Sequence, residues 1–279
     1  MRINNRISDW KYLLRLFSEY NQDKSVSAHF TYDFKQTQLQ KLADYEGLKD
    51  IISQKIDDLK KVVLIMKWVH SSLIGDGTCY PPKELHSLYI LEKTKKDKLR
   101  SNCWMYAIVM NESCLAAGYY SRMVRCMPID LEYRDCHCVT CVYIESLSKW
   151  VVFDPSNNAY YLNENMSPMS LPQVREAIIL NKKIYIPLTG RKRTQDICDY
   201  WSKTLFRFEC YANNKYGTEV DNQYKVIYNL NPSLFIMENY DAEDETKNCS
   251  IVNLYNELEF WQIPNFESVG GYDLNNHKL

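Results

Sequence analysis

The chain has 279 residues, with 34 Lys plus Arg against 35 Asp plus Glu, ten Cys and a hydrophobic fraction of 46%. This balance excludes a collagen-like chain, a low-hydrophobicity disordered chain and a strongly basic nucleic-acid binder. The length suits one large domain, or a core with a smaller unit appended, and such a chain buries on the order of three quarters of its unfolded surface, so its stability does not require disulfides.

Trp10, Leu13, Leu14 and Phe17 follow Ser8, a candidate N-cap, at helical spacing and predict an amphipathic first helix. The spacing returns in Val62, Met66, Val69 and Leu73, predicting a helix from Asp57 to Leu73 that Gly75-Asp76-Gly77 stops, with a loop from Cys79 onward. Lys93 to Arg100 is basic apart from Asp97 and reads as a solvated loop face. Ser101 to Ala117, N-capped by Ser101 or Asn102 and closed by Gly118 at C′, is apolar nearly all round in its first half, the pattern of a buried helix. Three strand-like runs follow, Tyr120 to Met127, Cys136 to Glu145 and Lys149 to Asp154, with a polar turn at Glu145-Ser146-Leu147-Ser148. A buried helix against an antiparallel meander predicts an α+β core.

Beyond Pro155 the patterns weaken. Leu171 to Asn181 reads as a helix, Ile184 to Pro187 as a strand, Thr204 to Ala212 with Gln223 to Asn229 as a strand pair, and Asp241 to Glu245 as an acidic surface loop. These readings divide the chain into a helical N-terminal segment (1–56), a core (57–170) and a C-terminal α/β extension packed on the core (171–279).

What the cysteines do depends on the compartment. The ten (Cys79, Cys103, Cys114, Cys126, Cys136, Cys138, Cys141, Cys198, Cys210 and Cys249) would form a disulfide set in an exported protein. Met1 to Asp23 lacks the apolar stretch of a signal peptide, and Val62-Val63-Leu64-Ile65-Met66 is far shorter than the roughly 20 residues of a membrane span. A cytoplasmic protein without membrane contact is expected, its thiols mostly free and packing as small hydrophobes.

Of the five His, His29, His70, His86 and His277 read as satisfied surface or core residues. Cys136-His137-Cys138-Val139-Thr140-Cys141 invites a metal reading. On a strand, however, Cys136 and Cys138 face one way while His137 and Cys141 face the other, about 13 Å apart. Zinc holds its ligands within about 2.0–2.3 Å of one point, so neither a metal nor another cofactor is expected.

A different grouping carries nucleophilic chemistry. Cys103 lies in the first turn of the buried helix, where unpaired N–H groups and the macrodipole favour a thiolate. His137 lies mid-strand, and Asp154 ends the next strand at Pro155. A carboxylate that accepts from one imidazole nitrogen leaves the other to take a thiol proton and return it to a leaving amine. Residue types alone do not single this set out, since Cys, His and Asp occur in that order in most chains of this length.

The flanking residues do. Asn102-Cys103-Trp104-Met105-Tyr106-Ala107, Leu115-Ala116-Ala117-Gly118-Tyr119-Tyr120-Ser121-Arg122-Met123-Val124, Cys136-His137-Cys138-Val139 and Lys149-Trp150-Val151-Val152-Phe153-Asp154-Pro155 together resemble the transglutaminase-like superfamily. The resemblance implies a papain-like cysteine-peptidase core over 57–170, with Cys103 as nucleophile, His137 as base and Asp154 as its orienter. It also offers Trp68, in the segment before the nucleophile, as an oxyanion donor, beside the backbone N–H of Cys103 at its helix start. The chain departs from the family pattern where Arg100-Ser101-Asn102 replaces a Gly-bearing approach and Cys138 replaces an aromatic after the His.

Three function classes follow. The first is a cysteine acyl-transfer enzyme that hydrolyses a peptide or amide bond of a peptide or protein bound in a cleft; the departures make amine-accepting cross-linking the poorer variant. The second is a catalytically silent binding or scaffold module, with Lys93 to Arg100 and some of the 22 Tyr as a partner surface. The third is a metalloprotein built on Cys136, His137 and Cys138.

Overall fold

The computed structural model describes residues 7–22, 25–129, 135–188, 191–221, 225–235 and 249–265. The acidic run Asp241 to Glu245, His277 and the first residues of the strand predicted from Gln223 lie outside them.

Capping and burial set the helix limits on the N-terminal side. Helix α1 (Ile7–Leu16) buries Leu13 and Leu14, but it already contains Ser8, whose hydroxyl turns to Asp9 at 3.3 Å instead of capping. The short strand β1 (Thr31–Tyr32) and helices α2 (Thr37–Ala43) and α3 (Leu48–Ile52) lead to α4 (Asp58–Ser72). Its N-cap Asp57 accepts from the Lys60 N–H at 2.9 Å. This helix stops at Leu73, ahead of the glycines, because Ile74 and Gly75 form a strand, β2 (Ile74–Gly75), paired in parallel with β3 (Arg100–Ser101).

The basic run corrects the loop reading. It is the second half of α5 (Ser87–Asp97), which is N-capped by His86 and buries Ser87, Ile90, Leu91 and Thr94. Its lysines lie on the outer face beside acids, Lys93 with Asp97 at 2.8 Å and Lys95 with Glu46 at 2.9 Å. The apolar period was present in the sequence, and the density of charge obscured it.

Helix α6 (Cys103–Ala116) is capped by Asn102, whose Oδ1 accepts from the Met105 N–H at 3.2 Å. It is buried on every side from Met105 to Leu115, and Gly118 closes it at φ 84°, a left-handed turn open to glycine. The meander follows as β4 (Ser121–Met127), β5 (His137–Ile144) and β6 (Lys149–Asp154), antiparallel throughout, with β7 (Ala159–Tyr160) beside β6. Helix α7 (Leu171–Ile179) starts at a capping box made by Ser170 and Gln173. No strand forms over Ile184 to Pro187; Tyr185 makes a single bridge to Leu162.

The largest difference from the sequence reading is α8 (Arg191–Thr204), a helix where no element was expected. It buries Ile197 and Trp201, one turn apart, and its last residue is the Thr204 at which a strand was predicted to begin. That strand is β8 (Arg207–Tyr211), antiparallel to β10 (Lys225–Leu230); β9 (Asn213–Asn214) pairs with β1, and β11 (Cys249–Leu254) and α9 (Glu257–Phe260) complete the described elements.

One sheet of seven strands organises the fold, in the order β11-β10-β8-β4-β5-β6-β7. Because β8 pairs antiparallel with β4, the strands beyond residue 171 extend the same sheet that holds the meander. Alternate residues of β5 enter different cores, the strand period expressed as packing. Cys138, Val142 and Ile144 pack with Met66, Ile90 and Ile108 of α4, α5 and α6. Val139, Cys141 and Tyr143 pack with Leu14, Val174 and Trp201 of α1, α7 and α8. The architecture is thus α+β, a mostly antiparallel sheet with helices on both faces. Among the described residues no helix is long and apolar enough to cross a membrane.

Candidate active site

The sheet faces meet at the strand ends where α6 begins, β5 begins and β6 ends. Asp154, the last residue of β6, is fully buried. The turn after it folds back on the carboxylate: Ser156 Oγ donates to Oδ1 at 2.8 Å, the Asn157 N–H to Oδ1 at 3.1 Å, Asn157 Nδ2 to Oδ2 at 2.8 Å and the Tyr161 hydroxyl to Oδ2 at 3.3 Å. Burial pushes this carboxyl up. The charge and hydrogen bond of His137, with the bonds from Asn157 and Ser156, outweigh it and hold the pKa at about 2.

His137 opens β5 and does not lie mid-strand as expected, so its ring stands at the strand end. Its Nε2 donates to Asp154 Oδ2 at 2.7 Å, which leaves Nδ1 for another partner. Burial disfavours the imidazolium, but Asp154 and then the Cys103 sulfur raise its pKa well above the ordinary value. The rings of Tyr200 and Trp201, on α8, stand edge-on to the imidazole with centroids 5.4 and 5.7 Å away. Trp201 also packs on Tyr161 at 4.9 Å, so one indole braces both the base and a donor to its carboxylate.

Cys103 is the first residue of α6 and is partly exposed. Its Sγ lies 3.8 Å from the Cys136 carbonyl oxygen. A hydrogen bond from the Cys138 thiol, then the hydrogen bond and charge of His137, overcome burial and lower its pKa from 9.0 to about 4. The three residues grouped in the sequence are therefore brought together, with the Cys103 thiol pulled down and the His137 imidazole pushed up, the directions that favour a thiolate beside an imidazolium. The face alternation expected for Cys136 to Cys138 holds as well: Cys138 lies on the α6 side and His137 beside α8. Cys103 reaches both because it sits at the strand end.

Trp68 already has an acceptor for its indole proton. Its Nε1 donates to the Glu46 carbonyl at 3.2 Å, and its ring stands edge-on to Tyr45 at 6.0 Å. A committed indole proton is not available to an oxyanion, whereas the N–H of Cys103 in the first turn of α6 has no intrahelical acceptor. His70 Nδ1 lies 2.9 Å from the Pro155 carbonyl, and His86 meets the Tyr216 hydroxyl at 2.7 Å, so both are satisfied by protein partners. Among the described residues no group of three His, Cys, Asp or Glu could hold a metal ion.

Sequence reasoning missed Ser156, Asn157 and Tyr161 around the carboxylate, and Tyr200 and Trp201 around the imidazole. Asp154-Pro155-Ser156-Asn157 carried a turn signal that could have found the first two. Nothing local to residue 200 marks it as a neighbour of residue 137.

Residues 47–155 match the family model described as the transglutaminase-like superfamily, a stretch that contains Cys103, His137 and Asp154. No curated protein matches the chain. Among solved structures, a candidate cysteine protease from Cytophaga hutchinsonii is similar at 17% identity and a TM-score of 0.32, over 50% of this chain and 46% of that one.

Proposed function

We propose that this chain, whose residues 47–155 match the transglutaminase-like superfamily model, is a cysteine acyl-transfer enzyme that hydrolyses a peptide or amide bond, working with its thiols reduced in the cytoplasm. The observation that carries the reading is the 2.7 Å bond from His137 Nε2 to a carboxylate that four further donors hold in place. It fixes the tautomer and orients the second nitrogen for work on Cys103.

In this mechanism the Cys103 thiolate attacks the amide carbonyl carbon of a peptide or protein seated in the cleft. The negative charge that develops on the oxygen faces the N–H groups at the start of α6. As the tetrahedral adduct collapses, His137 gives the Nδ1 proton to the departing amine and a thioester remains on Cys103. His137, now neutral, takes a proton from water, which attacks the thioester and releases the acid. Asp154 holds the ring and stabilises its cation without accepting the proton. Water is favoured over an amine as acceptor because it is abundant and no residue group marks an amine site.

Competitive labelling with iodoacetamide at neutral pH, followed by peptide mapping, tests the reading. Cys103 should react fastest of the ten thiols, and Cys103→Ala should remove hydrolysis of peptide substrates. Equal labelling of Cys103 and the other thiols would leave the silent-scaffold reading in its place. Incorporation of an added primary amine at the expense of hydrolysis would favour cross-linking.

A further inference from the structure

The acyl-transfer chemistry uses one sulfur, yet three converge at the site. Cys136 and Cys138 flank His137 at the start of β5, and Cys103 opens α6 beside them. Cys103 Sγ is 3.8 Å from the carbonyl oxygen of Cys136, which by standard bond lengths places it no more than about 6 Å from the Cys136 Cα. A contact of that length is within reach of the side-chain and local backbone movement that a disulfide requires. Cys103 and Cys136 are both partly exposed, whereas Cys138 is 1% exposed.

We propose that Cys103 and Cys136 form a reversible oxidation site, at which a peroxide converts Cys103 to a sulfenic acid and Cys136 resolves it as a Cys103–Cys136 disulfide. In the first step the Cys103 thiolate attacks a peroxide oxygen. An S–O bond forms, the O–O bond breaks, the sulfur loses two electrons to the peroxide, and hydroxide (or alkoxide) leaves. In the second, the Cys136 sulfur attacks the sulfenic sulfur, the S–S bond forms, and hydroxide departs with the Cys136 proton as water.

The choice of Cys136 over its neighbours rests on access and reactivity. Cys138 lies within the β5 ladder opposite Arg125, packed against α6, and its interactions with the Cys103 and Cys136 sulfurs, with burial, raise its pKa well above the ordinary value. Cys79 is turned away, its Sγ donating to the Arg100 carbonyl at 3.3 Å, and burial raises its pKa. Cys136 precedes the first residue of β5 and its paired register, and interaction with the Cys138 thiol lowers its pKa. Oxidation would block the nucleophile while sparing it from irreversible sulfinic acid. That loss of acyl transfer rests on the function proposed above, whereas formation of the disulfide does not.

The test is made on the full chain, reduced, exposed to equimolar hydrogen peroxide, blocked with N-ethylmaleimide and mapped by mass spectrometry. Cys136 and Cys138 fall in one tryptic peptide, Asp135 to Lys149, so fragmentation must place the bond. A dithiothreitol-reversible Cys103–Cys136 link is expected. In Cys136→Ser, dimedone should trap sulfenic acid on Cys103 severalfold more than in the unaltered chain, and sulfinic acid should accumulate there. A link to Cys138 or Cys79, or equal dimedone trapping in both proteins, overturns the proposal. The mapping on the unaltered chain stands even where the variant fails to fold. Because it measures the bond and not turnover, it also separates failure of this site from failure of the acyl-transfer reading.

Discussion

The two faces of the central sheet are built differently, and each gives the site a different part. On one face, α4, α5 and α6 lie close together in the chain and pack aliphatic side chains such as Val62, Met66, Ile90 and Val109. On the other, segments far apart in sequence meet, and buried arginines tie them together. Arg122 lies between Phe30 and Trp150 at 3.6 and 4.2 Å and donates to the Phe260 carbonyl at 2.7 Å. Arg175 donates to the carbonyls of Phe17, Ser18 and Leu205. The first face provides Cys103 on a helix that local sequence specifies. The second provides the ring and hydroxyl contacts that hold His137 and Asp154. Cys103, His137 and Asp154 come together where the two faces meet, at the strand ends.

The largest effects should come from severing the faces at the site itself. Cys103→Ala should abolish turnover while leaving the thermal transition close to that of the unaltered chain, since the side chain is small and partly exposed. Asp154→Asn should lower kcat by about 10⁴-fold, the cost of a wrong imidazole tautomer in related triads. Its pH signature is more specific. In the unaltered chain the Cys103 thiolate persists down to a pKa of about 4, so alkylation should stay flat from neutral pH toward that value. Without the carboxylate the imidazolium loses its main support, and the alkylation limb should move up toward the ordinary thiol value of 9.0. An unmoved limb in Asp154→Asn would show that the second face contributes nothing to thiol activation. Stability has a matching sign. The Asp154 pKa is depressed from 3.8 to about 2, so its contribution is complete above about 3.8 and is lost as pH falls toward 2; the variant should lack that part of the acid transition.

The same contrast explains what the sequence made legible. Helix α6 and the meander were readable because Asn102, the all-round apolar run and Gly118 act within one segment, and strand alternation alone separates Cys138 from His137. Cys103, His137 and Asp154 could be grouped because their flanks form a recognisable series. Helix α8 is not legible: its mean hydropathy is low, and Tyr200 and Trp201 become significant only when a distant strand places His137 beside them. Trp68 misled for the complementary reason. Its position before the nucleophile suggested a role, while its proton was claimed by Glu46, which the sequence does not show to be near.

Core truncations on the two faces should cost similar stability and yet separate in function. Met66→Ala and Trp201→Ala each remove a fully buried side chain, for losses of about 2–5 and about 3–5 kcal/mol in chemical denaturation. The Trp201 Nε1 has no hydrogen-bond partner among the described residues, so its cost is one of packing. At temperatures where both variants are folded, Met66→Ala should leave the alkylation profile of Cys103 in place. Trp201→Ala, which frees one wall of the imidazole, should slow alkylation and lower kcat. Equal profiles in the two variants would mean that the α8 face only fills space. A smaller effect, about 1 kcal/mol, is expected for Asn102→Ala, which removes the cap of α6 and its 3.2 Å bond to the Met105 N–H.

Trp68→Phe should have the smallest effect, and it examines the first face on its own. The indole is wedged against Gly47, which holds φ 79° and where an added Cβ would stand 2.9 Å from Nε1. Phenylalanine keeps a ring beside Tyr45 and loses only the bond to the Glu46 carbonyl, a change of roughly 0.5–1.5 kcal/mol in stability. Turnover should be unchanged, because the proton removed joins α4 to the turn between α2 and α3 and does not face the cleft. Loss of an oxyanion donor would look different, with kcat down by about 10²-fold or more at an unaltered KM. That result would require the Trp68 proton to leave Glu46 during the reaction, and would make the α4 face a participant in charge stabilisation as well as the support of the nucleophile's helix.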